Sequence, residues 1–415
     1  MFVRRNGVEI GNSGLLWERA MKTKALQICL YVLVLVVSAH AADPKRYLFV
    51  WAGDADKKAS DFLAVLDVTP HDPNYGRIVA SVPVGAVGTI PHHTEYSLSD
   101  SGFLFANGFE SGKSFIFDVR DPLHPKLVRA FDEVQGYMSP HSFVRLPSGH
   151  VLASFHLKHG ERGGGLVEFD NDGEVIRSAS AVDPKALDVL IRPYSLAVLP
   201  NLDRLVSTSS SMYFLDGVGI AVQVWRLSDL KLLNTVRLSP GPRGYGHEDP
   251  QEPRVLADGK TVYVQTRSCG LHRITGLDTD NPKAEPVYTF EGGLCGVPIV
   301  VDNYWIQAVP AMNGVVVLDV SNPARPVAVS QLSVGEKQFT HWLAWDDAGS
   351  RIILNSGGDD SMLFMLKFDR NTGKITLDKD FHDPQATGPG MSLKDRKWPH
   401  GFQGTGIPHG AVFSR

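Results

Sequence analysis

Histidine recurs at one position of a repeated pattern in this 415-residue chain. His93, His141 and His341 each stand five residues before the end of a short predicted strand. A turn that ends in glycine follows each of these strands. Short apolar runs between such turns are typical of β-strands. If the repeats surround an axis, the three imidazoles converge on it. Neutral imidazoles suit Cu, Zn, Fe or Ni better than Mg or Ca, so the pattern predicts a metal site; the alternative is a packed polar channel.

Two more histidines and two glutamates extend the predicted site. His92 directly precedes His93, and His409 opens the last apolar run of the chain. Glu95 and Glu252 stand near the starts of equivalent runs. Histidine ligands usually donate their second ring N–H to a carboxylate or carbonyl group. Glu95 and Glu252 are therefore candidates to orient the imidazoles.

Other residues leave alternatives open. His247 lies four residues before an equivalent run and is a further candidate to reach the axis. Cys295 takes the histidine position of its own repeat, where it is either a soft metal ligand, a buried thiol or half of a disulfide. The histidines predicted to be solvated, in turns or outer strands, are His71, His124, His150, His156, His159, His272 and His382.

The elements that must position these residues are short strands. From Lys45 onward, runs rich in Val, Leu, Phe and Tyr alternate with Gly, Pro, Asn and Asp turns, and no amphipathic run is long enough to predict a helix. The fold class is therefore all-β. Intervals of 44 to 57 residues separate the repeats, which suits the blades of a β-propeller, typically about 40 to 50 residues long. The repeats begin near His93, His141, Tyr194, Gln251, Cys295 and His341.

The two ends of this region complete the predicted ring. The strand candidates 47–51 and 62–68 belong to none of the six repeats. Residues 408–414 again have the sequence pattern with which a repeat begins. A propeller must close to protect its edge strands. Pairing of the C-terminal strand with the N-terminal strands provides a seventh blade and brings His409 to the axis. We therefore predict that residues 42–415 form a single domain, a seven-bladed β-propeller.

Residues 1–41 contain a secretory pattern. Residues 21–24 are basic, residues 25–37 are apolar, and residues 39–41 provide a small-residue cleavage site. We predict a signal peptide that starts at Met21, with the first twenty residues an extension upstream of the true initiator, and export to the periplasm or out of the cell. The alternative is an uncleaved membrane anchor, but the apolar run is short for a span of roughly 20 residues. We therefore expect cleavage before Ala42 and no stable membrane span afterwards.

Charge and cysteine content limit the function classes. Without residues 1–41 the net charge changes from −4 to −7, because five basic and two acidic residues are removed. Such a chain has no electrostatic basis for binding nucleic acid. Cys269 and Cys295 are the cysteines left in the predicted mature chain. Exported proteins often pair their cysteines, whereas a large core makes a disulfide dispensable, so both states stay open.

Seven stretches carry a resemblance to a known family: 61–70, 73–75, 92–93, 117–127, 137–149, 222–235 and 252–256. They resemble the selenium-binding protein family, which includes periplasmic, copper-dependent methanethiol oxidases of bacteria. The resemblance covers nearly the whole mature chain in the same order and is most specific in the N-terminal quarter. It implies a seven-bladed propeller with copper bound in its channel, and the matching positions are His92, His93, His141 and His409. It also implies that oxygen oxidises a small thiol, methanethiol, to formaldehyde, hydrogen sulfide and hydrogen peroxide.

Some positions depart from the family pattern. The family has a cysteine, tied to selenium binding, shortly after the paired histidines, but residues 94–109 contain none. Val144 and Ala257 stand where the family has histidine, and His341 is an additional histidine. A second hypothesis is therefore a non-catalytic exported propeller that binds a partner or a small ligand, because a fold alone does not specify function. Copper content separates the two, since an oxidase should retain near-stoichiometric copper.

Overall fold

The computed structural model describes Met1, Gly7 and residues 44–212, 217–358, 360–383 and 388–415. The predicted signal peptide lies outside the described residues. The chain divides into two units, Met1–Pro44 and Lys45–Arg415. Every described strand lies in the second unit. Within the described ranges, no helix is long and apolar enough to cross a membrane.

The described residues form 31 β-strands and two single 3-10 turns, Pro200–Leu202 and Pro310–Met312, without an α-helix. The strands of the first half are β1 Tyr47–Asp54, β2 Ser60–Asp67, β3 Ile78–Val87, β4 Pro91–Thr94, β5 Phe103–Gly108, β6 Lys113–Asp118, β7 Lys126–Phe131, β8 Tyr137–Arg145, β9 Val151–Lys158, β10 Gly165–Phe169, β11 Val175–Ser180, β12 Pro193–Leu199, β13 Arg204–Ser209, β14 Ala221–Arg226 and β15 Lys231–Arg237. Those of the second half are β16 Pro250–Val255, β17 Val262–Thr266, β18 Gly270–Thr275, β19 Lys283–Thr289, β20 Ile299–Val301, β21 Tyr304–Val309, β22 Gly314–Asp319, β23 Val327–Ser333, β24 Thr340–Asp346, β25 Arg351–Ser356, β26 Met362–Asp369, β27 Lys374–Leu377, β28 Met391–Ser392, β29 Arg396–Lys397, β30 Gln403–Gly404 and β31 Gly406–Phe413.

Seven antiparallel sheets form the blades of a propeller, as predicted from the sequence. Blade 1 has the order β31-β1-β2-β3, and blades 2 to 7 each use four consecutive strands, from β4–β7 to β24–β27. In blade 1 the last strand of the chain is the inner strand, with Leu48 opposite Phe413 and Val50 opposite Ala411. The predicted pairing of the two ends of the chain is thus confirmed.

Burial explains the sequence pattern of the strands. Inner and central strands have neighbours on both faces, so they read as continuous apolar runs; β1 is buried from Leu48 to Asp54. Outer strands have one face in solvent and alternate, as in β7, where every second side chain is exposed. The hydrophobic core consists of seven clusters, each between two neighbouring blades of the described region. The cluster between blades 7 and 1 includes Trp342 and Phe413 and joins the two ends of the ring.

Cys269 and Cys295 form a disulfide, with their Cα atoms 5.1 Å apart and both residues fully buried. Cys269 lies in the turn between β17 and β18 of blade 5, and Cys295 lies in the segment that leads to β20 of blade 6. The bond therefore links neighbouring blades. It also removes Cys295 from the candidate metal ligands, because a disulfide sulfur has no thiolate to offer.

We expect replacement of both cysteines by alanine to lower the free energy of unfolding by about 3 to 4 kcal/mol, because the disulfide closes a loop of this length in the unfolded chain. The two residues are 26 positions apart. Urea denaturation measures the change. Reduced wild-type protein is the control, since it loses the crosslink and keeps the side-chain volume. A transition midpoint that does not move on reduction would contradict this assignment.

Candidate metal centre

Inner strands carry the five predicted histidine ligands. His92 and His93 lie on β4, His141 on β8, His341 on β24 and His409 on β31. On β4, β8 and β24 the register shifts at the histidines, where each strand pairs with the second strand of its blade. Such β-bulges re-aim side chains. In β4 and β8 a proline precedes the histidine, and proline removes a donor that the ladder would otherwise use.

Polar side chains of the second strands stabilise these bulges. Asn107 of β5 accepts a hydrogen bond from the backbone N–H of His93 (2.7 Å) and donates one to the carbonyl of Pro140 in the next blade (2.8 Å). Asn355 of β25 donates to the carbonyl of His409 in blade 1 (2.9 Å). Buried backbone groups that leave a ladder need such partners. The side chains therefore fix each histidine strand to the neighbouring blade.

The structure brings the five histidines into one cluster. Ring centroids are 4.1 Å apart for His92 and His409, 4.3 Å for His93 and His141, and 4.6 Å for His341 and His409. Three of the residues, which we call the histidine triad, are at most 5% exposed: His92, His93 and His141. One ring nitrogen from each of these three lies within 4.8 Å of the others. His341 and His409 lie beside the triad and are partly exposed.

The ring nitrogens of the triad lie at separations that suit the binding of one ion. Nδ1 of His141 lies 3.1 Å from the carbonyl oxygen of Tyr194, which can only accept, so Nδ1 carries the proton and Nε2 keeps its lone pair. Nε2 of His141 is 3.1 Å from Nε2 of His92. Nitrogens that bind one ion at about 2.0 to 2.1 Å come within roughly 3 to 4 Å of each other, which agrees with this separation. Nε2 of His93 is buried without a hydrogen-bond partner among the described residues.

Burial keeps these imidazoles neutral. It lowers the pKa of His92, His93, His141 and His409 well below the usual value, and the neighbouring histidines lower each further. The pKa of His341 falls to about 4, because burial and the charge of Arg267 both disfavour the imidazolium form. Metal binding requires neutral imidazole. The cluster therefore fits a metal ion at neutral pH, with the ligand type that copper and zinc prefer.

Glu252 lies next to the triad, within a buried polar network. Its Oε2 accepts hydrogen bonds from the side chains of Tyr96 (2.9 Å), Ser195 (3.1 Å) and Arg254 (2.9 Å). Its Oε1 has no hydrogen-bond partner among the described residues and lies 3.9 Å from Nε2 of His93. That distance is too long for a hydrogen bond. Burial raises the pKa of the Glu252 carboxyl, against the opposing effect of Arg254. Two unpaired polar atoms thus face each other at the edge of the triad.

Glu95 has a different environment from the predicted one. Its two carboxylate oxygens accept hydrogen bonds from the guanidinium of Arg145, each at 2.9 Å, and one also accepts from the backbone N–H of Phe105. Burial raises the pKa of Glu95 to about 7, while Arg145 opposes the rise. The carboxylate therefore joins blades 2 and 3 through Arg145, whereas the sequence predicted that it orients an imidazole.

Two histidines that were predicted to be solvated are buried. His156 of β9 is 4% exposed, and its ring stacks on that of His141 at 5.0 Å. His272 of β18 is fully buried, with Nε2 3.0 Å from the carbonyl oxygen of Gly246. The signal for His156 was the mostly apolar stretch 151–157, in which apolar residues stand on both sides of the histidine, because such a stretch indicates a strand covered on both faces. Tyr194, whose ring is 3.7 Å from that of His141, stands at the histidine position of its repeat.

A cleft of about 320 Å³ opens onto His92 and His409. It gives small molecules access to the edge of the cluster, and its walls combine apolar side chains with two carboxylates. The apolar side chains are those of Ile90, Phe109, Met212, Ile407 and Pro408, and the carboxylates are those of Asp54 and Asp61.

No protein-family model matches the chain. The methanethiol oxidase of Hyphomicrobium sp. is 33% identical over 140 residues, which are 32% of this chain and 31% of that protein. Selenium-binding protein 2 of Arabidopsis thaliana is 26% identical over 158 residues, 34% of this chain and 32% of that protein. The matched segments thus span about a third of the length of these curated relatives.

The X-ray structure of a hypothetical selenium-binding protein from Sulfolobus tokodaii superimposes with a TM-score of 0.70 at 17% identity, over 89% of this chain and 94% of that one. At this identity the likeness bears on the fold alone. The resemblance to selenium-binding proteins that the sequence predicted is confirmed, and so is the seven-bladed propeller.

Proposed function

We propose that this protein binds copper at the histidine triad and oxidises a small thiol with oxygen as the acceptor. The observation that carries the proposal is the arrangement of His92, His93 and His141, which are buried and neutral and place one ring nitrogen each within 4.8 Å of the others. The similarity to the Hyphomicrobium methanethiol oxidase supports the reaction class. Copper held by imidazoles supplies redox chemistry and accepts soft sulfur ligands.

The residues around the triad would orient it and exclude water. The carbonyl of Tyr194 holds His141 in one tautomer, which fixes the nitrogen that is offered to the ion. Ring contacts cover the triad: Phe109 lies 5.1 Å from His92, and Trp342 lies 5.0 Å from His93. These apolar rings lower the local polarity and limit the approach of bulk solvent. The cleft beside His92 leaves room for a small thiol and for oxygen.

Export to the periplasm or out of the cell is part of the proposal. The secretory pattern of residues 21–41 supports it, as does the disulfide between Cys269 and Cys295. Disulfides persist in oxidising compartments and are rare in the cytosol.

Replacement of His141 by alanine tests the proposal. The variant is expected to lose the copper held by the triad and to consume oxygen with methanethiol at the background rate. Its unfolding transition should stay cooperative, because the stability of the propeller comes mainly from the clusters between blades. Metal analysis after gel filtration and an oxygen electrode give the two readouts.

The matched control is His124→Ala, because the His124 side chain is 77% exposed on the surface. This variant should retain copper and activity at wild-type levels. Full copper retention by the His141→Ala protein would overturn the proposed site.

A second candidate is a metal-binding propeller without oxidase activity. Val144, which replaces a histidine of the related family, packs against the hydrophobic cluster between blades 3 and 4, so this position cannot supply a ligand. Copper-loaded wild-type protein that consumes no oxygen with methanethiol would favour this second function.

A further inference from the structure

Ile90 has a backbone conformation that isoleucine rarely adopts. Its φ angle is +52°, in the left-handed region, where the branched Cβ of isoleucine is strained. Ser139 and Asp249 occupy the same place in blades 3 and 5, directly before the proline of an inner strand, with φ angles of +57° and +49°. Their side chains are unbranched at Cβ and tolerate this conformation better. Of these three blades, blade 2 therefore carries the strained residue.

Contacts on both sides of Ile90 hold this conformation. The carboxylate of Asp61 accepts hydrogen bonds from the backbone N–H and the hydroxyl of Thr89, at 2.6 and 2.7 Å. The carbonyl of Ile90 accepts one from the backbone N–H of Phe109 (2.9 Å), and Pro91 follows directly. Strained residues persist where their surroundings fix them, and they concentrate at ligand sites. The backbone is thus fixed from outside, and the choice of isoleucine depends on what its side chain contacts.

Packing between the blades does not explain the isoleucine. The side chain of Ile90 is half-buried. It belongs neither to the seven hydrophobic clusters of the described residues nor to the partly buried side chains that pack against them. It lines the cleft beside His92, together with Phe109 and Ile407. The strained residue is therefore part of the cleft wall.

Charge limits what this cleft accepts. Asp54 and Asp61 line it and are buried. Lys57 also lines it, but its ammonium lies 3.6 Å from the carboxylate of Glu110, and both side chains are 56% exposed. These two opposite charges offset each other, which leaves the buried aspartates. A negatively charged ligand would be repelled there, because the juxtaposition of like charges disfavours binding.

We propose that Ile90 is a specificity-determining residue, and that the cleft selects neutral alkyl thiols longer than methanethiol over anionic thiols. Methanethiol is much smaller than the cleft, whose volume is about 320 Å³, so a longer alkyl chain can lie against Ile90 and Phe109 while the thiol faces His92. The inference rests on the proposed function for the reaction. Binding of the alkyl chain, in contrast, does not require catalysis.

Calorimetric titration under nitrogen measures this preference without turnover. The wild type should bind 1-propanethiol more tightly than 3-mercaptopropionate, which carries a negative charge. Ile90→Gly should bind 1-propanethiol about tenfold more weakly, as expected when apolar contact is removed from a pocket. It should melt at or above the wild-type temperature, because glycine adopts positive φ angles without strain. Ile90→Val keeps a branched apolar side chain and should bind like the wild type.

Lys337→Gly is the matched control. Lys337 is exposed, lies outside the cleft lining and has a φ angle of +64°, so glycine relieves the same kind of backbone strain there. This variant should also melt at or above the wild-type temperature, and it should keep the wild-type affinity for 1-propanethiol. With oxygen present, Ile90→Gly should raise the KM for 1-propanethiol about tenfold and leave kcat unchanged, which is the signature of lost substrate binding.

The outcomes separate this inference from the proposed function. An Ile90→Gly protein that binds 1-propanethiol like the wild type, melts at a lower temperature or does not fold overturns the inference. A wild type that binds neither thiol, or both equally, also overturns it. If binding depends on Ile90 but the copper-loaded wild type consumes no oxygen with methanethiol or 1-propanethiol, the proposed function fails and the inference stands. If the wild type oxidises methanethiol while Ile90→Gly leaves the affinity and the KM for 1-propanethiol unchanged, the reverse holds.

Discussion

Removal of residues 408–415 is expected to abolish the stable monomer, because these residues provide most of β31, the inner strand of blade 1. Without them β1 loses its inner partner from Leu48 to Ala52. The cluster between blades 7 and 1 also loses Ala411 and Phe413. The result is an open ring with an exposed edge strand, and exposed edges promote aggregation. Sedimentation velocity and thermal unfolding of the truncated protein measure the effect.

Deletion of Arg415 alone is the control for this truncation. Arg415 follows β31, and its side chain is 60% exposed where it pairs with Asp100, so its loss should change the melting temperature little. A synthetic peptide of residues 406–415 should restore part of the stability of the truncated protein by strand addition. A truncated protein that stays monomeric and melts at the wild-type temperature would show that closure does not depend on β31.

Strands and their repeat could be predicted because burial leaves a local trace in the sequence. A strand covered on both faces, such as β1, reads as a continuous apolar run, and an outer strand such as β7 alternates. The position of His409 followed from the need to close the ring. Its pairing partner β1 is more than 350 residues away, but only one arrangement of the ends removes both edges.

Side-chain contacts between blades could not be predicted, because the partners are far apart in the sequence. Glu95 pairs with Arg145, which is 50 residues further along, and the sequence does not reveal this partner. The network of Glu252 draws Tyr96 from the segment after β4 and Ser195 from β12, so three blades meet at one carboxylate. His156 was assigned to solvent because it was placed in a turn or an outer strand, although the mostly apolar stretch around it indicates a covered strand. The stacking of its ring on that of His141 is a contact that the sequence does not reveal.

Replacement of Glu252 by alanine is expected to lower the free energy of unfolding by about 3 to 5 kcal/mol, the usual cost of removing one partner from a buried ion pair. The guanidinium of Arg254 would lose its carboxylate, and its side chain is only 14% exposed. The hydroxyls of Tyr96 and Ser195 would each lose an acceptor in a buried site. Urea denaturation at neutral pH measures the difference.

Two controls separate the buried charge from a general effect of the substitution. The double variant Glu252→Ala/Arg254→Met should recover much of the lost stability, because it leaves no unpaired charge and keeps an apolar chain beside the Tyr96 ring, which the Arg254 guanidinium carbon now approaches to 4.0 Å from the ring centroid. Asp229→Ala, which breaks an exposed pair with Arg226, should have little effect, because solvent screens surface charges. A double variant as unstable as Glu252→Ala would mean that packing, and not charge pairing, makes Glu252 important.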